Sequence, residues 1–267
     1  MRDDWDDVVR QLEDLLRRLG WSETWMCEEL WRFVSVDVDE FRKYGIEPCA
    51  WLEGLESLRN LRRPYWFGFA MGRLVIKKLD DKIRLELDTK DSIDAVFYPT
   101  LLKTVKMPRL DITQGRETPA EKPTPESITL SYYIDLGINE WPWPIELSAG
   151  ELERILDGFG DEELAEFVAG AIDGSGAVWY KRTAYVGITA CKDCPKRFIL
   201  DVLKRVITER FGITGTIKSR RTKDALVFRG KNAIKLLGRV VKHLHHPHRR
   251  LRAELILAYY STQHQGE

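Results

Sequence analysis

The 267-residue sequence predicts an α+β fold: a small helical module, then two equivalent repeats, each a glycine-bearing helix followed by antiparallel strands. Three observations carry this reading. Segments with helical spacing of apolar residues alternate with pairs of β-type runs joined by short turns. The chain overlays on itself at an offset of 102 positions (170 − 68), which sets Gly68 on Gly170, Gly72 on Gly174, and Lys90 and Asp91 on Lys192 and Asp193. Finally, 43% hydrophobic residues and nine tryptophans supply a core that a disordered chain lacks.

From Asp4 to about Gly45 the pattern is that of three short helices. "VVRQLEDLLRRLG" places Val8, Val9, Leu12, Leu15, Leu16 and Leu19 at helical spacing and stops at Gly20. "SETWMCEELW" and "VDVDEFRKYGIEP" follow, and the set is similar to a helix-turn-helix unit, with a tail like that of many archaeal ones. Asp37, Asp39 and Glu40 in the third helix would repel phosphates, so the module is read as a packing element. The expected boundaries are 1–60 for this acidic module, 61–147 for the first repeat and 148–267 for the second.

"RRPYWFGFAMGRL" opens the first repeat. "LVIKKLDDKIRLELDT" reads as a hairpin about an Asp-Asp turn, and "DSIDAVFYPTLLKTV" as a helix that Pro99 should kink or split. "RLDITQ" and "SITLSYYIDLG" form a second hairpin across the exposed loop "GRETPAEKPTPE". "SAGELERILDGF" is a helix with Ser148 as N-cap. The second repeat begins with "DEELAEFVAGAIDG", acidic in its first turn as the helix dipole favours. Two hairpins around "PKRFILDVLKRVITERFG" and two closing helices complete an α-ββ-α-ββ-α-α order.

The repeated glycines have one physical reading. Residues four apart share a helix face, so Gly68 with Gly72 and Gly170 with Gly174 strip a face of each helix. The two helices should pack backbone to backbone, and the hairpins that follow should spread as a pseudo-twofold saddle. Both helices lie in one chain, so a monomer is expected.

The formal charge is zero, yet it hides a strong asymmetry. Residues 1–175 carry 22 basic and 36 acidic side chains, and 176–267 carry 20 and 6. That separation points to an anionic partner for the second half, unless the two halves mask each other in a structural or partner-binding protein. No apolar run is long enough to span a bilayer and the N-terminus is acidic, so a cytoplasmic protein without membrane contact is expected. Cys27, Cys49, Cys191 and Cys194 are too few and scattered for a disulfide framework. They read as packed or local cysteines, although the CxxC spacing leaves a Cys191–Cys194 bridge open. The histidine-rich "HLHHPHRR" reads as a turn between helices rather than a metal site.

"VAGAIDGSG" resembles the LAGLIDADG motif of homing endonucleases and intron maturases, and "KNAIKLLGRVVKHLHHPHRRLRAELIL" resembles the C-terminal end of many members. The resemblance implies two central motif helices beneath two four-stranded antiparallel sheets, which lie on the DNA major groove. It further implies that the last acidic residue of each motif holds divalent metal, Mg2+ if the protein is a nuclease, for phosphodiester hydrolysis. Here that position is Ser175, and its overlay partner in the first repeat is Arg73. Neither is an anionic ligand. Asp173, the earlier acid of the motif, lies two residues or about 200° away around the helix and is expected to hydrogen-bond within its turn.

The expected function is therefore binding of nucleic acid, double-stranded DNA foremost and RNA as an alternative, with cleavage lost or impaired. An active endonuclease would have to use Asp173 or an acid such as Glu166 or Asp161. Expected contact residues are Lys77, Lys82 and Arg84 in the first repeat. In the second they are Lys181, Arg182, Lys218, Arg220, Arg221, Lys223, Arg229 and Lys231. In active members a basic residue near the fourth strand assists catalysis, and the resemblance carries that to Arg229 or Lys231.

Overall fold

The computed structural model describes residues 27, 30–32, 38–43, 45–114, 128–219 and 221–264. In chain order the elements are α1 (Val38–Lys43), α2 (Pro64–Gly72), β1 (Val75–Lys78), β2 (Lys82–Thr89), α3 (Ser92–Lys103), β3 (Arg109–Gln114) and β4 (Ile128–Gly137). There follow α4 (Ala149–Asp157), α5 (Asp161–Ser175), β5 (Gly176–Lys181), β6 (Thr183–Cys191), α6 (Ile199–Phe211), β7 (Thr216–Ser219), β8 (Lys223–Arg229), α7 (Lys231–Val240) and α8 (Pro247–His264). Two compact units result: one of residues up to Arg59 with Lys77–Ile138, the other of Asn60–Ile76 with Asn139–Glu267.

In the first unit, α1 stands where the third N-terminal helix is expected; the first, most of the second and the Pro-rich loop lie outside the described residues. Trp31 is buried and its indole N–H donates to the Pro48 carbonyl at 2.9 Å. The Cys27–Cys49 disulfide corrects the reading of these two as packed or local cysteines, and Cys191 and Cys194 form the bridge that the sequence left open. Pairing of Cys27 and Cys49 needs the chain to close over 22 residues, which spacing alone does not reveal.

The sheet order is β1-β2-β4-β3, antiparallel where β4 pairs with β2 and β3. Alternation along β2 sends Ile83, Leu85 and Leu87 into the core. Helix α3 starts at Asp91, whose carboxylate accepts the N–H groups of Ile93 (2.9 Å) and Asp94 (3.3 Å). Helix α3 runs unbroken through Pro99, so the expected split does not occur. Proline cannot donate to the carbonyl four residues back, that of Ala95. The Tyr132 hydroxyl takes up that carbonyl at 3.0 Å, and burial pushes the phenol up to about 12.

In the second unit, Pro64 opens α2 at a position that needs no N–H. Ser148 and Glu151 form a reciprocal capping box on α4, with Ser148 N–H to Glu151 Oε2 at 2.8 Å. Strand order is β5-β6-β8-β7, the same pattern as in the first unit. Val178, Ala184, Val186, Ile188, Leu226 and Phe228 face a core shared with α5, α6 and α7. The sequence repeat therefore shows as two topologically identical four-stranded sheets.

Candidate nucleic-acid interface

The glycine helices α2 and α5 pack backbone to backbone within the second unit. A Cβ on Gly68 would overlap the Phe167 carbonyl oxygen, and one on Gly170 the Tyr65 carbonyl oxygen. At Gly72 an added Cβ would sit 2.8 Å from Ser175 Oγ, and at Gly174 2.8 Å from the Phe69 carbonyl oxygen. All four glycines are thus required by close approach. Each glycine helix leads into two antiparallel hairpins separated by a helix, with identical strand order. This is the arrangement that the LAGLIDADG resemblance implies. No family model matches the chain, and no curated protein matches it.

Among solved structures, the chain is similar to the homing endonuclease I-WcaI bound to its DNA recognition sequence. Identity is 11% over 72% of this chain and 86% of that one, with a TM-score of 0.48. I-DmoI in complex with DNA and Mn is 14% identical over 68% of this chain and 97% of that one, TM-score 0.44. Full-length DUF199/WhiA from Thermatoga maritima is 14% identical over 79% and 66%, TM-score 0.46.

The C-terminal ends of α2 and α5 are the positions at which the LAGLIDADG resemblance puts metal. Helix C-termini expose carbonyls and partial negative charge. In this chain its own cations meet that charge. Lys196 Nζ donates to the Ala70 carbonyl near the end of α2 at 3.0 Å, and burial lowers its pKa. Arg73 occupies the C-cap of α2. Arg249 donates from Nε to the Gly176 carbonyl at 3.0 Å and from Nη1 to that of Asp173, closing α5. Ser175 packs against Gly72 and its carbonyl accepts the Thr189 hydroxyl at 2.7 Å. Among the described residues no group of three or more His, Cys, Asp or Glu is placed to hold a metal ion. A hard divalent cation needs oxygen ligands with net negative charge, so the donor set at these helix ends does not fit one.

Asp173 is fully buried and differs from expectation, because its partners are distant in sequence. Oδ2 accepts the Tyr65 hydroxyl (3.0 Å) and the N–H groups of His245 (2.6 Å) and His246 (3.0 Å), while buried Oδ1 accepts no hydrogen bond. Burial pushes its pKa up to about 6 against the opposing pull of Arg249 and these donors. The carboxyl thereby fixes the turn between α7 and α8, which is the structural role expected of "HLHHPHRR". Neither other acid reaches the helix ends. Glu166 is paired with Arg63 at 2.5 Å and Asp161 with Arg210 at 2.6 Å. At 1.5 Å per residue they stand about 14 and 21 Å along α5 from Ser175.

The sheets differ in the charge of their solvent faces. Strand parity puts Lys77, Lys82, Arg84, Glu86, Asp88, Arg109, Asp111 and Asp135 on the face of the first sheet that turns away from its core. There Lys77 meets both oxygens of Glu86 at 2.7 Å. Arg84 forks onto Asp135 at 2.8 and 3.1 Å and lies over the Tyr133 ring at 4.1 Å. The Arg84 guanidinium holds the Asp135 carboxyl below the usual range. Two of the three contact residues expected in the first repeat are thus occupied by acids of their own sheet.

The corresponding face of the β5–β8 sheet carries Lys181, Lys218, Lys223 and Arg229, and among the described residues of these strands no carboxylate shares it. Asp224, the acid of β8, points to the opposite side, where Arg197 binds it at 2.5 Å and lowers its pKa. Arg182 forms the β5–β6 turn at φ 65°, the one non-glycine residue with positive φ among those described. Arg221 lies in the β7–β8 turn and Lys231 opens α7; Arg220 is outside the described residues. Arg229 leans towards the Tyr185 ring at 5.8 Å.

Sequence reasoning missed Lys196, Arg249 and the aromatic pair Trp179–Tyr185. The first two act on helix ends far away in sequence, so no local pattern marks them. The third does leave a trace, since Trp179 interrupts an otherwise amphipathic strand beside Lys181.

Proposed function

We propose that this protein binds the phosphate backbone of a nucleic acid through the solvent face of its β5–β8 sheet and has lost metal-dependent cleavage. The observation that carries the reading is the set Lys181, Lys218, Lys223 and Arg229, whose face carries no carboxylate among the described residues of these strands, against a first sheet whose cations are matched by acids. Double-stranded DNA, which the LAGLIDADG resemblance implies, and RNA present the same backbone. The loss of cleavage is supported by Ser175 and Arg73 at the metal positions and by Lys196 and Arg249 on the helix-end carbonyls. Arg229 and Lys231 then serve phosphate binding rather than hydrolysis.

The test pairs binding with nicking. Affinity for a 30-base-pair duplex and for an RNA should fall steeply with salt, with Lys218→Ala and Lys223→Ala each reducing the slope of log K against log salt by about 1. Neither nucleic acid should be cut with magnesium or manganese. Site-specific cutting that Asp173→Asn abolishes would refute the loss of cleavage. Absence of binding at low salt would refute the reading as a whole.

A further inference from the structure

The basic face of the β5–β8 sheet also presents an aromatic surface. Trp179, Tyr185 and Arg229 are direct cross-strand neighbours on β5, β6 and β8 and share that face. Tyr185 is 7% exposed and lies over Gly187, where an added Cβ would stand 2.8 Å from the Tyr185 hydroxyl. Glycine in mid-strand lets the phenol ring lie down on the sheet. Trp179 packs on that ring with centroids 4.8 Å apart and remains 39% exposed. Tyr185, Ala225 and Val227 form a small buried apolar cluster on this same face, separate from the main core. Lys181 stands on the same side, as do Lys218 and Lys223.

An indole held on a rigid sheet offers a π-face. Bases within a duplex cover one another's faces and offer only groove edges, whereas unpaired nucleotides expose faces that stack on aromatic side chains. We propose that Trp179, seated on Tyr185 and flanked by Lys181 and Arg229, stacks an unpaired base, so that this face takes single-stranded nucleic acid in preference to duplex. The proposal rests on the nucleic-acid reading above and narrows it. DNA and RNA single strands share the required chemistry.

The experiment is an anisotropy titration of the full chain with labelled 12-nucleotide oligo-dT, oligo-rU and a duplex of the same length at one salt concentration. Wild type should bind at least one single strand more tightly than the duplex. Trp179→Ala should weaken that binding by about 5- to 150-fold, the range for loss of one stacked base. Its effect on duplex binding should stay within about twofold. Trp179→Phe keeps a ring and should retain most of the single-strand affinity, which separates stacking from a folding defect. Tight binding of one sugar type alone identifies the natural strand and supports the proposal if Trp179→Ala weakens it. Duplex preference with unchanged affinity in Trp179→Ala overturns it while leaving nucleic-acid binding in place. No binding to any of the three overturns both.

Discussion

Gly170→Ala is the sharpest perturbation of the helix pair. The added methyl group would stand 2.1 Å from the Tyr65 carbonyl oxygen and 2.9 Å from the Phe69 nitrogen, so backbone atoms of α2 must yield. Tyr65 is tethered through its hydroxyl to Asp173 and stacks on Phe69 at 5.9 Å, so α2 cannot slide away cheaply. Overpacking of a tight core costs about 1–3 kcal/mol and more where the backbone has to move. Alanine recovers about 1 kcal/mol of helix propensity, which leaves a net loss of about 2 kcal/mol or more. Gly238 is the internal control, because it is an exposed position in α7 with nothing within 4 Å of an added Cβ. Gly238→Ala should stabilise by up to about 1 kcal/mol. Urea unfolding followed by far-ultraviolet circular dichroism would then place the two variants about 3 kcal/mol apart, on opposite sides of wild type. A Gly170→Ala midpoint at or above that of wild type would refute backbone-to-backbone packing.

The other expectations concern single side chains. Asp173 has a raised folded-state pKa of about 6, so the native state holds its proton where the unfolded chain does not. Its cost is absent below about pH 4 and grows as pH rises through 6, to about 3 kcal/mol at neutrality. Asp173→Asn keeps an acceptor for the three donors and should flatten that fall in urea melts from pH 4 to 8, whereas Asp173→Ala should destabilise at every pH; an unchanged profile in the asparagine variant would sink the account. Arg182→Gly should raise stability by about 1 kcal/mol through relief of its positive φ, and should weaken oligonucleotide binding in the same anisotropy titration. Tyr132→Phe should cost about 1–3 kcal/mol by leaving the Ala95 carbonyl without its donor. Adding Pro99→Ala, which restores a backbone N–H to that carbonyl, should recover much of the loss in thermal melts.

Much of the fold was legible because its signals are local. The alternation in β2, the Ser148 N-cap of α4, and the acidic first turn of α5 each act within a few residues. The repeat of glycines at an offset of 102 positions is also written along the chain, and it foretold which helices pack and through which face. That the helix continues past Pro99 is not legible locally, because the donor to the Ala95 carbonyl comes from Tyr132 on another element. The Cys27–Cys49 pair escapes the sequence for the same reason, since it exists only after chain closure.

For the candidate site, sequence by itself determined that Ser175 and Arg73 stand where the LAGLIDADG resemblance expects carboxylates, and that cations are in excess in the second half. Tertiary structure decided which cations remain available. Lys77 and Arg84 look the same in sequence as Lys218 and Lys223, yet cross-strand register sets the first two against Glu86 and Asp135 and, among the described residues of the β5–β8 strands, puts no acid on the face of the others. It also decided that Lys196 and Arg249 close the ends of the glycine helices, and that Trp179 lies open on Tyr185. Charge and pattern are properties of the chain, but the electrostatic field and the exposed ring face depend on which side chains the register brings within a few ångströms of one another.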